Sequence, residues 1–248
     1  MRLTVVGCSG SYPGPDSPAS CYLVEHEGYW LALDLGSGAL GPLQRYVDPR
    51  RLDAVLLSHL HADHYLDVCS LSVALRYHPD GVPAHRVVVC GPSGTPRAVS
   101  QACGTATEVL AENIDFTDVR PGTFDLGPFT VTAVRAAHPV EAHALRLEAG
   151  GRALVYTGDT GPSEPVTGLA KGADLLLAEA SFVADATNPP DLHLTGGEAG
   201  EMAAAAGVGS LVVTHVPPWH DPRTALAEAQ AAFDGRCELA VSGAVFDL

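Results

Sequence analysis

The sequence predicts a layered α/β fold. Eleven short runs rich in β-branched and aliphatic residues alternate with four stretches of helical pattern. That is too many strands for the helices of a doubly wound sheet. One segment, ALRLEAGGRALVYTG, turns at Gly150-Gly151 and reads as an antiparallel hairpin. No repeat, low-complexity block or linker divides the 248 residues, so one domain spanning 1–248 is expected.

The elements follow in order. Strands are expected at LTVVG (3–7), CYLVEH (21–26), YWLALDLG (29–36), AVLLSH (54–59), RVVVCG (86–91) and IDFTDV (114–119). Later ones are FTVTAVRA (129–136), ALRLEA (144–149), ALVYTG (153–158), LLLAEA (175–180) and SLVVTH (210–215). Helices are expected near 64–77, 95–111, 196–206 and 222–233. Thr195-Gly-Gly-Glu198 is a capping box, in which hydroxyl and carboxylate each satisfy an orphan N–H. Asp221-Pro222 starts the last helix, with the acid at the cap and proline at the first helical position.

Composition excludes several classes. Hydrophobic residues make up 46%, enough for a full core and too many for a disordered chain. The apolar runs are short, such as AVLL at 54–57, and none approaches the ~20 residues of a membrane span. The N-terminus MRLTVVGCSG has no apolar signal-peptide region, so a cytoplasmic location is expected. The six cysteines form no CxxC pair and read as reduced, mostly buried thiols. A formal charge of −15 disfavours stable nucleic-acid binding, because neutralising phosphates takes clustered Lys and Arg. The single lysine, Lys171, follows Ala170, so no Gly-Lys-Ser/Thr phosphate loop exists. There is no Gly-x-Ser-x-Gly nucleophile elbow. Gly36-Ser-Gly38-Ala-Leu-Gly41 is a formal GxGxxG, but Pro42 follows it and no acid ends a second strand about 20 positions on. It reads as a glycine-rich turn.

Chemistry concentrates in Ser58-His59-Leu-His61-Ala-Asp63-His64, where an apolar strand gives way to a helix. Strand residues two apart share a face, so His59 and His61 can grip one cation. Asp63 and His64 follow the turn and can face a second. Imidazole with carboxylate suits zinc, and also accepts manganese or iron. One loop cannot close two sites, so further ligands should stand at other strand ends. His138 follows FTVTAVRAA, Asp159 follows ALVYTG, and His215 follows SLVVT. With the first motif they make seven candidate ligands.

This ordered set, HxHxDH and then His, Asp, His, resembles the metallo-β-lactamase fold hydrolases. The resemblance implies a four-layered αβ/βα sandwich with two divalent metal ions at one edge of two facing sheets. It implies His59, His61 and His138 on the first ion, Asp63, His64 and His215 on the second, and Asp159 between them. Within that family the chain is similar to the ribonuclease Z-type branch: LLLAEASF resembles its acidic motif and LHLTGGEAG its histidine motif. Those matches imply a catalytic role for His193, with Glu179 behind it to fix its tautomer. The tRNA-processing members carry a long arm between the equivalents of His138 and Asp159. Here these residues are 21 positions apart and joined by what reads as a hairpin.

The segments GCSGSYPGPDSPASCYLV, SHLHADHYLD, RYHP, TGDTG, PPDLHLTGGEAG and THVPPW resemble the atypical class II cyclic-nucleotide phosphodiesterases, which lack the arm. The implied activity is opening of a 3′,5′-cyclic nucleotide, cyclic AMP foremost, to the 5′-monophosphate. Asp63 would orient the attacking water, and His193, protonated, would steady the phosphate and protonate the leaving 3′-oxygen. The implied partner is a small cyclic phosphodiester, and the implied assembly is a homodimer. The competing activities are a tRNA 3′-endonuclease and a lactone or thioester hydrolase of the same fold. Trp219 and His220 stand close enough to His215 to line a pocket, while Arg76, Tyr77 and His78 read as an exposed helix end.

Overall fold

A computed structural model describes residues 1–184 and 187–248. Its strands form two seven-stranded sheets. The first holds β1 (Arg2–Gly7), β2 (Cys21–His26), β3 (Tyr29–Leu33), β4 (Ala54–Leu56), β5 (Val87–Gly91) and β6 (Ile114–Asp118). The second holds β7 (Gly122–Leu126), β8 (Phe129–Arg135), β9 (His143–Ala149), β10 (Arg152–Tyr156), β11 (Leu175–Glu179), β12 (Ser210–Thr214) and β13 (Arg236–Leu239). The last strand, β14 (Val245–Asp247), returns to the first sheet beside β1.

The two sheets share one plan. β1, β2 and β3 pair antiparallel, and β4, β5 and β6 then add in parallel. Likewise β7 to β10 pair antiparallel, and β11, β12 and β13 add in parallel. The Gly150-Gly151 turn joins β9 to β10, with both glycines at positive φ. Two such residues in succession suit a tight hairpin.

Side chains alternate between faces, and both faces are covered. Leu31 and Leu33 meet Phe129, Leu145, Leu147 and Leu177 between the sheets. Ala32 and Leu23 point the other way, towards Leu43, Leu71, Leu75 and Val99. These last belong to α1 (Leu40–Leu43), α3 (Val68–Tyr77) and α4 (Thr95–Cys103); α2 (Ala62–Tyr65) and α5 (Thr107–Leu110) complete that half. On the second sheet Leu176 and Val213 face Val166, Ala203 and Ala229. Those come from α6 (Glu164–Leu169), α7 (Gly196–Ala206) and α8 (Pro222–Ala232). The layers therefore run helix, sheet, sheet, helix: the αβ/βα sandwich. Strands buried on both sides read as continuous apolar runs, which is why LLLA and LVVT lack polar alternation.

Several boundaries differ from expectation. The strand read as 29–36 ends at Leu33, because Asp34 turns to φ 56°. The helix read as 95–111 is two, broken where Gly104 adopts the left-handed conformation that caps α4. The helix read as 64–77 is also two, α2 and α3, and strands β7, β13 and β14 and helices α1 and α6 are additional. Each is short, and β13 and β14 have few buried side chains to mark them. The capping box at α7 and the Asp221 cap at α8 both form.

The reading of all six cysteines as reduced thiols is corrected. Cys69, on the first turn of α3, is disulfide-bonded to Cys103 at the end of α4, with Cα atoms 5.2 Å apart. The two lie 34 positions apart, and only the packing of the helices brings them together. Cys8, Cys21, Cys90 and Cys237 are free. Among the described residues, no helix is long and apolar enough to cross a membrane.

Candidate metal centre

Parallel pairing sends the C-terminal ends of the central strands to one edge of each sheet, and loops at that edge converge. Asp34 follows β3, Ser58 and His59 follow β4, and His138 follows β8. Asp159 follows β10, Glu179 ends β11, and His215 follows β12. Because the sheets face each other, these loops meet across the core.

The structure brings the seven sequence-derived ligand candidates into two groups. His59, His61, His138 and Asp159 each offer a donor atom within 4.8 Å of the others. Asp63, His64 and His215 do the same. In the first group His61 Nδ1 lies 3.0 Å from His59 Nε2 and 3.2 Å from His138 Nε2. In the second, His215 Nε2 lies 3.1 Å from His64 Nε2 and 3.2 Å from Asp63 Oδ2. Ligands at the usual 2.0–2.1 Å in tetrahedral array stand about 3.3 Å apart.

Asp159 lies between the groups. Its Oδ2 is 3.6 Å from His59 Nε2, and its Oδ1 is 3.2 Å from His64 Nε2 and 3.5 Å from His215 Nε2. Among the described residues Oδ1 is buried with no hydrogen-bond partner. A buried carboxylate oxygen without a donor is costly, and a cation would satisfy it. These residues fit metal ions.

Their orientation comes from residues behind them. His138 Nδ1 donates to the Leu192 carbonyl oxygen at 2.9 Å, an atom that can only accept. His64 Nδ1 donates to Asp34 Oδ2 at 2.7 Å. Ser181 Oγ gives its proton to the His215 carbonyl oxygen and so accepts from His215 Nδ1, at 2.8 Å. Ser58 Oγ gives its proton to Asp34 Oδ2 and accepts from His59 Nδ1, at 3.1 Å. In the neutral form of all four rings Nε2 is thereby left with its lone pair towards the centre.

Asp34 is the main site residue absent from the sequence-derived roles. It is wholly buried and accepts from Ser58 N, Ser58 Oγ, His64 Nδ1 and the Tyr156 hydroxyl. It leads into Gly36-Ser-Gly38, which stood out in the sequence as glycine-rich; the contacts of Asp34 did not. A Cβ on Gly36 would run into the Asp63 carbonyl, so glycine lets this turn lie against the ligand loop. Ser181 was legible only as part of LLLAEASF.

Electrostatics match the donor roles at His59 and Asp63 and hold a proton at His64 until a cation arrives. Burial, helped by the neighbouring His64, His61 and His138, pushes the His59 imidazole well down and keeps it neutral. Burial alone would raise Asp63, but hydrogen bonds from His215 and His64 and their charge outweigh it and lower the carboxyl. Burial also opposes charge on His64, yet Asp159 and Asp34 outweigh it and raise that imidazole. A cation arriving there would displace its proton.

His193 stands at the rim of the centre. Its Nδ1 is 2.8 Å from Glu179 Oε1 and 3.9 Å from Asp159 Oδ2. Glu179 is wholly buried and takes backbone N–H bonds from Thr160 and Ser181, so it is held against His193 rather than turned to the ligand groups. Burial disfavours charge on His193, but Glu179, then Asp159, overcome it and push the imidazole up to about 9. Phe182 meets the His193 ring edge-on at 5.1 Å. Trp219 is no core residue: it is 57% exposed and packs on Tyr12. Arg76 pairs with Glu112 at an exposed helix end.

A helix–sheet–sheet–helix sandwich with a His/Asp cluster at one sheet edge defines a metallo-hydrolase of the metallo-β-lactamase fold. The chain belongs to the beta-lactamase superfamily, whose domain model matches residues 29–216. It is 44% identical to the uncharacterized protein ML1173 of Mycobacterium leprae (strain TN), over 100% of this chain and 89% of that one. It is 34% identical to the probable metallo-hydrolase YhfI of Bacillus subtilis (strain 168), over 100% of both. The crystal structure of YhfI aligns with a TM-score of 0.88 at 32% identity, covering 99% of this chain and 98% of that one. The chain is also 28% identical to ribonuclease Z of Halorubrum lacusprofundi over 305 aligned positions, covering 100% of this chain and 97% of the relative.

Proposed function

We propose that this chain is a dinuclear-metal phosphodiesterase that opens 3′,5′-cyclic nucleotides, cyclic AMP foremost, to 5′-monophosphates. The observation that carries this reading is His193. It is braced by the buried Glu179 beside the two donor groups, where a proton can reach a leaving oxygen. The span from His138 to Asp159 supports a small substrate, because it is filled by the β9–β10 hairpin with no room for a tRNA-gripping arm.

His59, His61 and His138 would hold one ion and Asp63, His64 and His215 the other, with Asp159 shared. The His-rich donor set favours zinc, with manganese or iron as alternatives. Two bound ions would lower the pKa of water towards neutrality and offset charge on the phosphoryl oxygens. Asp63 orients the attacking water through the carboxylate that faces His64 and His215. His193 carries its proton on the side away from Glu179 and delivers it to the leaving 3′-oxygen. Glu179 keeps that imidazole protonated and aimed. The resemblance also carries a homodimer, which light scattering would read as twice 25.7 kDa.

The test is a panel on metal-analysed protein: 3′,5′-cyclic AMP and GMP, a 2′,3′-cyclic nucleotide, bis(p-nitrophenyl) phosphate and a pre-tRNA, each with EDTA. Metal-dependent opening of a 3′,5′-cyclic nucleotide with pre-tRNA intact is expected. Pre-tRNA cleavage, or inactivity on every phosphodiester with two metals bound, would overturn the reading.

A further inference from the structure

The imidazole of His193 forms part of the wall of a cavity of about 700 Å³. Phe182 and the Pro189-Pro190 pair give it apolar surface. Asp191, Glu198 and Glu201 also line it, and among the described residues no Lys or Arg does. Glu198 is held by its capping bonds to Thr195, and Glu201 is exposed one turn further along α7. Asp191 is seated on Gly161, where a Cβ would meet Asp191 Cα at 2.9 Å, so this wall is packed onto the loop that carries Asp159.

We propose that this cavity receives the organic part of a monoanionic phosphodiester and disfavours any further phosphate there. The inference rests on the phosphodiesterase reading. Such a substrate delivers its one negative charge to the donor groups on the inner side of His193. Whatever else it carries then lies among three carboxylates, and the imidazole on that wall, His193, is already paired with Glu179. Asp191 and Glu201 are exposed and Glu198 is half-buried, and like charges gathered on one concave wall repel an added anion. The apolar surfaces beside them suit a ring. The substrate class is therefore a small phosphodiester whose remainder is neutral or cationic, as in a nucleoside cyclic phosphate, and polyphosphorylated esters are selected against.

The experiment compares 2′,3′-cyclic AMP with its 5′-phosphate, which differ by one phosphate, alongside bis(p-nitrophenyl) phosphate. Metal-loaded wild type, Asp191→Asn and Glu201→Lys are used, and the quantity read is the ratio of kcat/KM for the cyclic pair. Effects common to both substrates cancel in that ratio. Wild type should favour the unphosphorylated ester by about tenfold or more, and Glu201→Lys should shift the ratio by about tenfold towards the phosphorylated one. Asp191→Asn should move it the same way by less. Where the pair binds without turnover, the ratio of inhibition constants against bis(p-nitrophenyl) phosphate is read in the same way. A wild-type preference for the 5′-phosphate, or a ratio that neither variant moves, overturns the inference and leaves the phosphodiesterase reading intact. Failure to hydrolyse these three esters and 3′,5′-cyclic AMP with two metals bound overturns that reading, and the inference with it.

Discussion

Asp34 Oδ2 lies 2.7 Å from His64 Nδ1, and both side chains are wholly buried although 30 residues separate them. The carboxylate fixes the ring so that Nε2 faces Asp63 and His215. Asp34 itself sits at φ 56°, a conformation asparagine tolerates. Asp34→Asn should therefore keep the turn while removing the charge behind His64. Metal affinity at the group of Asp63, His64 and His215 should fall by about 10–100-fold. Competitive titration with a chromophoric chelator would measure it, and unchanged affinity would mean that Asp34 only shapes the turn.

Asp63→Ala removes the carboxylate that faces both His64 and His215. Turnover at saturating metal should fall by roughly 10²–10⁴-fold, with far-ultraviolet circular dichroism unchanged. Near wild-type turnover with both metals bound would contradict the proposed role of Asp63.

His193→Ala should reduce turnover far more than metal content, because His193 stands at the rim of the donor groups. Loss of metal in that variant would instead make His193 a ligand. In the proposed mechanism its protonated form is the active one. With the imidazole pushed up to about 9, the rate should hold through neutrality and decline above that value. Glu179→Gln removes the charge that raises it, so the alkaline limb should move to lower pH. A limb that stays in place would separate Glu179 from proton delivery.

Removing metal should loosen the fold at this edge. The chain buries Asp34, Asp159 and Glu179 with the imidazoles of His59, His64 and His215, and among the described residues Asp159 Oδ1 has no hydrogen-bond partner. Metal at about 100 times its Kd should stabilise by ~2.7 kcal/mol. For a chain of this size that is a rise of roughly 5–10 °C in Tm, readable by calorimetry with and without EDTA. Equal melting curves would argue against metal binding.

Gly36→Ala tests the approach of the Asp34 turn to the ligand loop. A Cβ there meets the Asp63 carbonyl, so the turn or the loop must shift. The cost should be about 1–3 kcal/mol in denaturant unfolding, with weaker metal binding. The exposed Gly41, where a Cβ meets nothing within 4 Å, is the control and should be nearly silent when changed to alanine.

The sequence by itself determined the layered α/β class, most of the strands, the capping box of α7 and the seven ligand candidates. These are local signals. A strand announces itself by a few apolar neighbours, and HxHxDH places four donors within six positions. What only the tertiary structure decided depends on contacts between distant segments. The Tyr156 hydroxyl reaches Asp34 across 122 positions, and Ser181 reaches His215 across 34. Cys69 meets Cys103 only because α3 and α4 pack together. The acidic cavity beyond His193 takes its walls from the loop after Asp159, the segments around Phe182 and Asp191, and the first turns of α7. Nothing in the neighbours of Asp34 marks it as the brace for His64, because the force that selects it, the cost of burying a carboxylate without donors, exists only once the sheets have closed over it.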